Sequence, residues 1–167
     1  MATTEVTLLL GSNDIEAAKI VQRATTIVGQ TVGDILRTSQ DHRSKAYGFT
    51  SDNEFVNRAI VIKTSFDAYE VLRRINLIEA LLGRNREEEQ RIKELKQEEY
   101  ASRPIDIDII FFGQETFSDQ RLTIPYHFLA EREYALRPVV DVMPDFKHPT
   151  LRNTPKEMLR IIENTNI

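Results

Sequence analysis

Ser102-Arg103-Pro104-Ile105-Asp106-Ile107-Asp108-Ile109-Ile110-Phe111-Phe112-Gly113 is the stretch on which the reading of this chain turns. From Ile105 to Phe112 its β-branched and aromatic residues predict a strand, ended by a glycine. Side chains alternate across a strand, so Asp106 and Asp108 point to one face and Ile105, Ile107 and Ile109 to the other. The two aspartate Cα atoms then stand about 6.6 Å apart, close enough for both carboxylates to share metal ions. Like charges that close raise each other's cost of ionisation unless a cation or an arginine answers them. A bare Asp-x-Asp is most often the wet face of an edge strand. Here Ile109 to Phe112 continue apolar on both faces, which predicts a strand covered on both sides at that end. Carboxylates on such a strand call for a function.

Outward from this strand, 167 residues fit one domain, 1–167, with a full core. With no cysteine, disulfides and thiolate metal sites are excluded. No apolar run reaches membrane-spanning length, and the start, Met1-Ala2-Thr3-Thr4-Glu5, lacks a charged signal-peptide opening, so a cytoplasmic protein without a membrane partner is expected. The net charge of −4 offers no general attraction to nucleic acid or anionic lipid. A bound polyanion must be held by local arginines or by metal.

Glu5 to Leu10 reads as a first buried strand running into Gly11-Ser12-Asn13, where Asn13 with Glu16 resembles a capping box. Ala17, Ile20, Val21, Ala24, Ile27 and Val28 follow at helical spacing, with Gly29 as the expected stop. Thr31 to Ser39 carries a second strand, and 40–53 reads as a long polar loop of the length that is usually functional or mobile. Glu54 to Thr64 is a strand with Phe55, Asn57, Ala59 and Val61 on one face. Asn57 thus has apolar neighbours, where an amide needs partners; spacing alone favours a side chain satisfied by nearby backbone.

Asp67 and Glu70 open a helix whose stripe is Val71, Leu72, Ile75, Ile78, Leu81 and Leu82, stopped by Gly83. Glu79 borders that stripe and reads as a solvated flank. Eleven of the sixteen residues 84–99 are charged, which predicts a solvated helix or a flap. Arg121 to Ile124 reads as a short strand before Pro125, and Tyr126 to Tyr134 as a helical turn. Ala135 to Met143 reads as interrupted by Pro138, and Thr154-Pro155-Lys156-Glu157 starts a last helix. The element order is β-α-β-β-α-β with an appended helical part.

Two same-face acids among several arginines suit a polyphosphate handled with Mg²⁺, which prefers oxygen ligands and often shares one or two carboxylates with substrate phosphates. Two such ions about 3.5–4 Å apart would steady attacking and leaving oxygens. His42, His127 and His148 are scattered, which argues against zinc.

Several motifs occur in order: Leu10-Gly11-Ser12-Asn13; Phe55-Val56-Asn57-Arg58-Ala59; Glu79-x-x-Leu82-Gly83-Arg84-x-Arg86; Arg103-Pro104-Ile105-Asp106-Ile107-Asp108-Ile109; Leu122-Thr123-Ile124-Pro125; and Glu131-Arg132 with Pro138 and Met143-Pro144-Asp145. Together they resemble the 6-hydroxymethyl-7,8-dihydropterin pyrophosphokinases of folate biosynthesis, over nearly the whole chain. The resemblance implies an α+β, ferredoxin-like antiparallel sheet with helices on both faces. It also implies transfer of pyrophosphate from MgATP to the pterin hydroxymethyl, leaving AMP. By the same resemblance Asp106 and Asp108 hold two Mg²⁺ ions, and Arg84 and Arg103 meet the phosphates. Asn57 recognises the pterin between Phe55 and Tyr134, with Ser44 and Tyr47 where the pterin loop passes. Asn76, Glu79, Arg86, Thr123 and Arg132 fall near ATP. The family's histidine after Ile-Pro is here Tyr126, with His127 next, and Tyr100 stands where a tryptophan is usual.

The reading is of an enzyme acting on small molecules and as a monomer. Its rival is a non-catalytic pterin- or nucleotide-binding module on the same scaffold. Such a module has little need for Asp106 and Asp108 together with Arg84 and Arg103. An RNA-binding ferredoxin-like domain is a more distant alternative, because the charge is negative and no basic aromatic strand pair is present.

Overall fold

In the computed structural model, which describes residues 2–45, 54–85, 87, 90–91 and 104–165, the alternation of the Asp-x-Asp stretch becomes a strand as expected. Of the expected site residues, Tyr47, Arg86, Tyr100 and Arg103 lie outside the described residues, as does most of the charged segment 84–99. The elements in order are β1 (Thr4–Ser12), α1 (Ala17–Thr31), β2 (Asp34–Thr38), β3 (His42–Lys45), β4 (Glu54–Thr64), α2 (Ala68–Leu81), β5 (Asp106–Phe112), β6 (Phe117–Ser118), β7 (Thr123–Ile124), α3 (Glu133–Val142) and α4 (Pro155–Thr165). The main sheet is antiparallel in the order β2-β4-β1-β5, with β3 also on β4. β2 pairs with residues 60–63 of β4 and β3 with residues 54–57, so the two form one edge strand broken at 39–41. Counted that way, the order is the ferredoxin-like β-α-β-β-α-β, followed by the short β6–β7 hairpin and two helices.

Strand alternation divides the core into two layers. Val6, Leu8, Leu10, Ile60, Ile62, Ile107 and Ile109 face α1 and α2. Leu9, Ala59, Val61, Ile110 and Phe111 face α3 and α4, meeting Leu136, Val139 and Met158. The β1–β5 register slips between Thr7 and Leu8, which makes Ile110 an extra residue. That bulge puts Ile110 and Phe111 together in the second layer, while Ile109 and Phe112 lie in the first, so the end of β5 is apolar on both sides.

Several local expectations change. Part of the predicted loop 40–53 is strand β3, because pairing with β4 supplies the ladder that four polar residues cannot signal alone. Asn13 is buried and is not the N-cap of α1, a position taken by Glu16; α1 begins at Ala17 without a side-chain cap. The helix also passes Gly29 and ends at Thr31, closed by Gly33, whose N–H donates to the Val28 carbonyl and where a Cβ would lie 2.6 Å from the Lys63 oxygen. Pro138 does not interrupt its segment: α3 runs unbroken through it, and the one helical hydrogen bond that its missing N–H forfeits is offset by burial of Leu136, Val139 and Val142. Of the strand expected at Arg121 to Ile124, Thr123 and Ile124 pair, with Phe117 and Ser118. The expected caps of α2 and α4 are present. Asp67 accepts from the Glu70 N–H at 2.8 Å, and Thr154 and Glu157 bond reciprocally.

Candidate functional site

The second face of the sheet is covered by α3 and α4 at one end and carries polar residues at the other. Register places the latter in a row across four strands: His42 opposite Asn57, Asn57 opposite Gly11, and Gly11 opposite Asp106. Directly paired residues point the same way, so the Asn57 amide and the Asp106 carboxylate stand two strand spacings apart, about 10 Å, with a glycine between them. A Cβ on Gly11 would lie 2.5 Å from the Asn57 Oδ1, so the floor is open because it has no side chain. One step inward lies the row Ala59, Leu9 and Asp108, where the open end meets the apolar layer. Ser44 pairs with Phe55 at the outer end, on the face of Asn57.

Asp106 and Asp108 differ in their surroundings. Asp106 Oδ1 accepts from Arg84 Nη1 at 2.7 Å. Arg84 Nη1 also donates to Glu79 Oε2 at 3.0 Å and to the Ile105 carbonyl. Glu79 Oε2 takes the Ile107 N–H at 2.8 Å on the outer edge of β5. Glu79, expected to be a solvated flank, is 1% exposed and is the anchor of this network. It lies four residues after Ile75 and three before Leu82, a core position of the helix, and that spacing was the missed signal. Arg84 is buried, pointing at Asp106 rather than outward.

Burial pushes the Asp108 carboxyl well above its ordinary range, helped by the charge and hydrogen bond of Asp106 and by Glu79, and opposed by Arg84. Two carboxylates, Glu79 and Asp106, bond the Arg84 guanidinium, and a third, Asp108, bonds Asp106; among the described residues no three His, Cys, Asp or Glu side chains converge as metal ligands. A pair of adjacent acids on one strand face fits a hard divalent cation that draws its other ligands from water and phosphate.

Tyr126 reaches this corner because its N–H donates to the Ile110 carbonyl at 3.0 Å. Its phenol is pushed upward by burial, by Tyr134 and by the Asp108 charge, against Arg132. Arg132 lies 4.1 Å over the Phe128 ring and donates to the Tyr134 hydroxyl at 3.0 Å. His127 is exposed, its ring edge-on to Phe128. Asn76 lies on the α2 flank of the sheet, lining a cavity of about 450 Å³ with Leu72, Arg73, Leu77 and Arg121. Arg121 and Leu72 were not expected in a site. Thr123 is exposed on β7, two residues beyond Arg121.

The pattern of the 7,8-dihydro-6-hydroxymethylpterin-pyrophosphokinase family matches residues 7–144. The chain is 32% identical over 143 residues to the 2-amino-4-hydroxy-6-hydroxymethyldihydropteridine pyrophosphokinase of Methylorubrum extorquens, covering 85% of this chain and 84% of that one. It is 31% identical to the Aquifex aeolicus protein of that name, over 94% and 90% of the two chains. Its fold is similar to that of an HPPK-DHPS solved in complex with substrates, at a TM-score of 0.72 and 15% identity over 98% of this chain. The wild-type Plasmodium falciparum HPPK-DHPS gives 0.69 at 18% identity. This chain spans less than half the length of those two solved chains, 44% and 47%. With the Asn57–Gly11–Asp106 row and the Asp108 step already in place, the match over 7–144 settles the kinship: the chain belongs to the 7,8-dihydro-6-hydroxymethylpterin-pyrophosphokinase family.

Proposed function

We propose that this chain transfers pyrophosphate from ATP to the hydroxymethyl of 6-hydroxymethyl-7,8-dihydropterin, a Mg²⁺-dependent step of folate biosynthesis that leaves AMP. The observation that carries the reading is the pair Asp106 and Asp108 on one face of β5, a glycine away from the Asn57 amide. In this reading the pterin lies on the Gly11 floor. Asn57 reads its polar edge, Phe55 and Tyr134 flank its ring, and Ser44 closes the outer end; the family resemblance adds Tyr47 and Tyr100 to the pterin contacts.

Asp106 and Asp108 would hold magnesium, two ions in the full reading. Held by these two carboxylates, magnesium would supply positive charge to offset the negative charge that shifts on the phosphates during transfer. Arg84, fixed by Glu79, keeps the Asp106 carboxylate oriented. Tyr126 and Arg132 line the same corner as donors to phosphate, and the family resemblance adds Arg86, Arg103 and His127 to the ATP contacts. The cavity beside Asn76 and Arg121 takes the nucleoside end of ATP, with Thr123 at its margin. No side-chain base is assigned to the hydroxymethyl; positioning and charge neutralisation supply the rate.

The reading needs one chain only, and we take the protein to act as a cytoplasmic monomer formed by a single domain. No helix of the described residues is long and apolar enough to cross a membrane. The test is an assay with ATP, Mg²⁺ and the reduced pterin. AMP formed in step with the pterin diphosphate supports the transfer, and ADP as product would assign a different one. Tight pterin binding with no AMP would leave a binding module.

A further inference from the structure

Tyr69 lies outside every motif that carries the family resemblance, yet it joins three parts of the molecule. On the α2 side its hydroxyl bonds the Asp119 carboxylate across 50 residues. Its ring stands edge-on to Phe117 at 5.9 Å, and Phe117 stands edge-on to Phe112 in the first core layer at 6.0 Å. The Arg121 guanidinium sits 5.1 Å from the centre of the Tyr69 ring. Asp119 Oδ1 accepts from the Arg121 and Leu122 N–H groups, both at 2.8 Å, and the Asp119 N–H donates to the Leu122 carbonyl at 2.9 Å. The β6–β7 hairpin tip is thereby tied to α2 through one side chain. Arg121, at that tip, lines the cavity beside Asn76 and Leu72.

We infer that Tyr69 is a positioning residue for the nucleoside end of ATP: it locks the Asp119 turn onto α2 and lays the Arg121 guanidinium along the wall of the α2 cavity. This role rests on the nucleotide reading of that cavity. Three contacts act together. The phenol grips the carboxylate, the carboxylate orders the Arg121 backbone, and the ring face attracts the guanidinium. Neighbouring Arg73 is held differently, by the Glu70 carboxylate at 2.6 Å, which leaves the Tyr69 ring to direct Arg121. The phenol and the two backbone N–H groups also hold the Asp119 carboxyl below its ordinary range, so the clamp is present in its charged form at neutral pH.

Calorimetry on Tyr69→Phe and Asp119→Asn, with MgATP and with magnesium tripolyphosphate as separate titrants, tests this role. Both variants keep the turn's shape, since a phenyl ring still packs on Phe117 and an amide oxygen still accepts the Arg121 N–H. Each should weaken MgATP binding about two- to five-fold, the scale of one exposed hydroxyl or cation–π contact. Tripolyphosphate affinity, kcat and the pterin KM should stay at wild-type values, because the effect falls on the nucleoside. Tyr69→Phe added to Arg121→Ala should weaken MgATP no further than Arg121→Ala alone. Unchanged MgATP affinity, equal weakening of both titrants, or additive losses in the double variant would each overturn the role. A wild-type chain that binds tripolyphosphate but gains nothing from the nucleoside would overturn it too, leaving pyrophosphate transfer standing. A wild-type chain that binds neither would remove the proposed function and this role together.

Discussion

The Asn57 amide lies over Gly11, close enough that a single added methyl would touch its oxygen at 2.5 Å. The contact joins β1 to β4 at the level of Asp106, so the polar reader and the metal-side acid share one floor. Gly11→Ala should displace the amide with little cost to the fold. We expect the pterin KM to rise about ten-fold or more, the scale of one lost polar contact to a buried group. Steady-state kinetics with varied pterin, beside a thermal melt close to wild type, checks this.

Asp106 and Asp108 should part in their effect on stability while agreeing in their effect on turnover. Removing either carboxylate should abolish product formation. Asp108→Asn removes a charge that burial and Asp106 both disfavour, so the metal-free protein should melt higher than wild type. Asp106→Ala takes away a 2.7 Å partner of Arg84 and should melt lower. Scanning calorimetry in chelator, paired with the AMP assay, separates the two.

Glu79 is the member of the network with the greatest structural weight. Its side chain is 2% exposed, and it holds both the Arg84 guanidinium and the Ile107 N–H. Glu79→Ala leaves a buried cation and a backbone donor short of a partner, for a loss of about 3 kcal/mol. Glu79→Gln keeps an acceptor for the Ile107 N–H and should cost less than half of that. Urea unfolding of the two variants gives the comparison, with activity expected to fall in both.

His148 links stability to pH. Its ring is buried against Phe111, and its Nδ1 accepts from the N–H groups of Thr150 and Leu151 at 3.1 and 3.0 Å. Burial lowers its pKa from the ordinary 6.5, so the folded state binds this proton less readily than the unfolded chain. The stability it supports is complete above the unfolded value and falls as pH drops below about 6.5 toward the folded one. His148→Asn, which offers an oxygen to the same donors without titrating, should flatten that part of the profile. Urea midpoints at several pH values between 5 and 8 measure the slope.

What the sequence alone determined was local and periodic. Period-two alternation assigned the faces of β4 and β5, the Asp67 and Thr154 boxes marked two helix starts, and the motif order carried the family resemblance. Tertiary structure alone decided what depends on a distant partner. His42 to Lys45 are strand because β4 supplies a ladder, and Pro138 is tolerated because the sheet buries the helix around it. Glu79 is a core anion because Arg84 and the edge of β5 come to meet it, and Arg121 lines a cavity with its guanidinium beside the Tyr69 ring. Periodicity reports which face a side chain takes; it carries no information about which opposite charge, or which unpaired backbone donor, a fold will bring to that face.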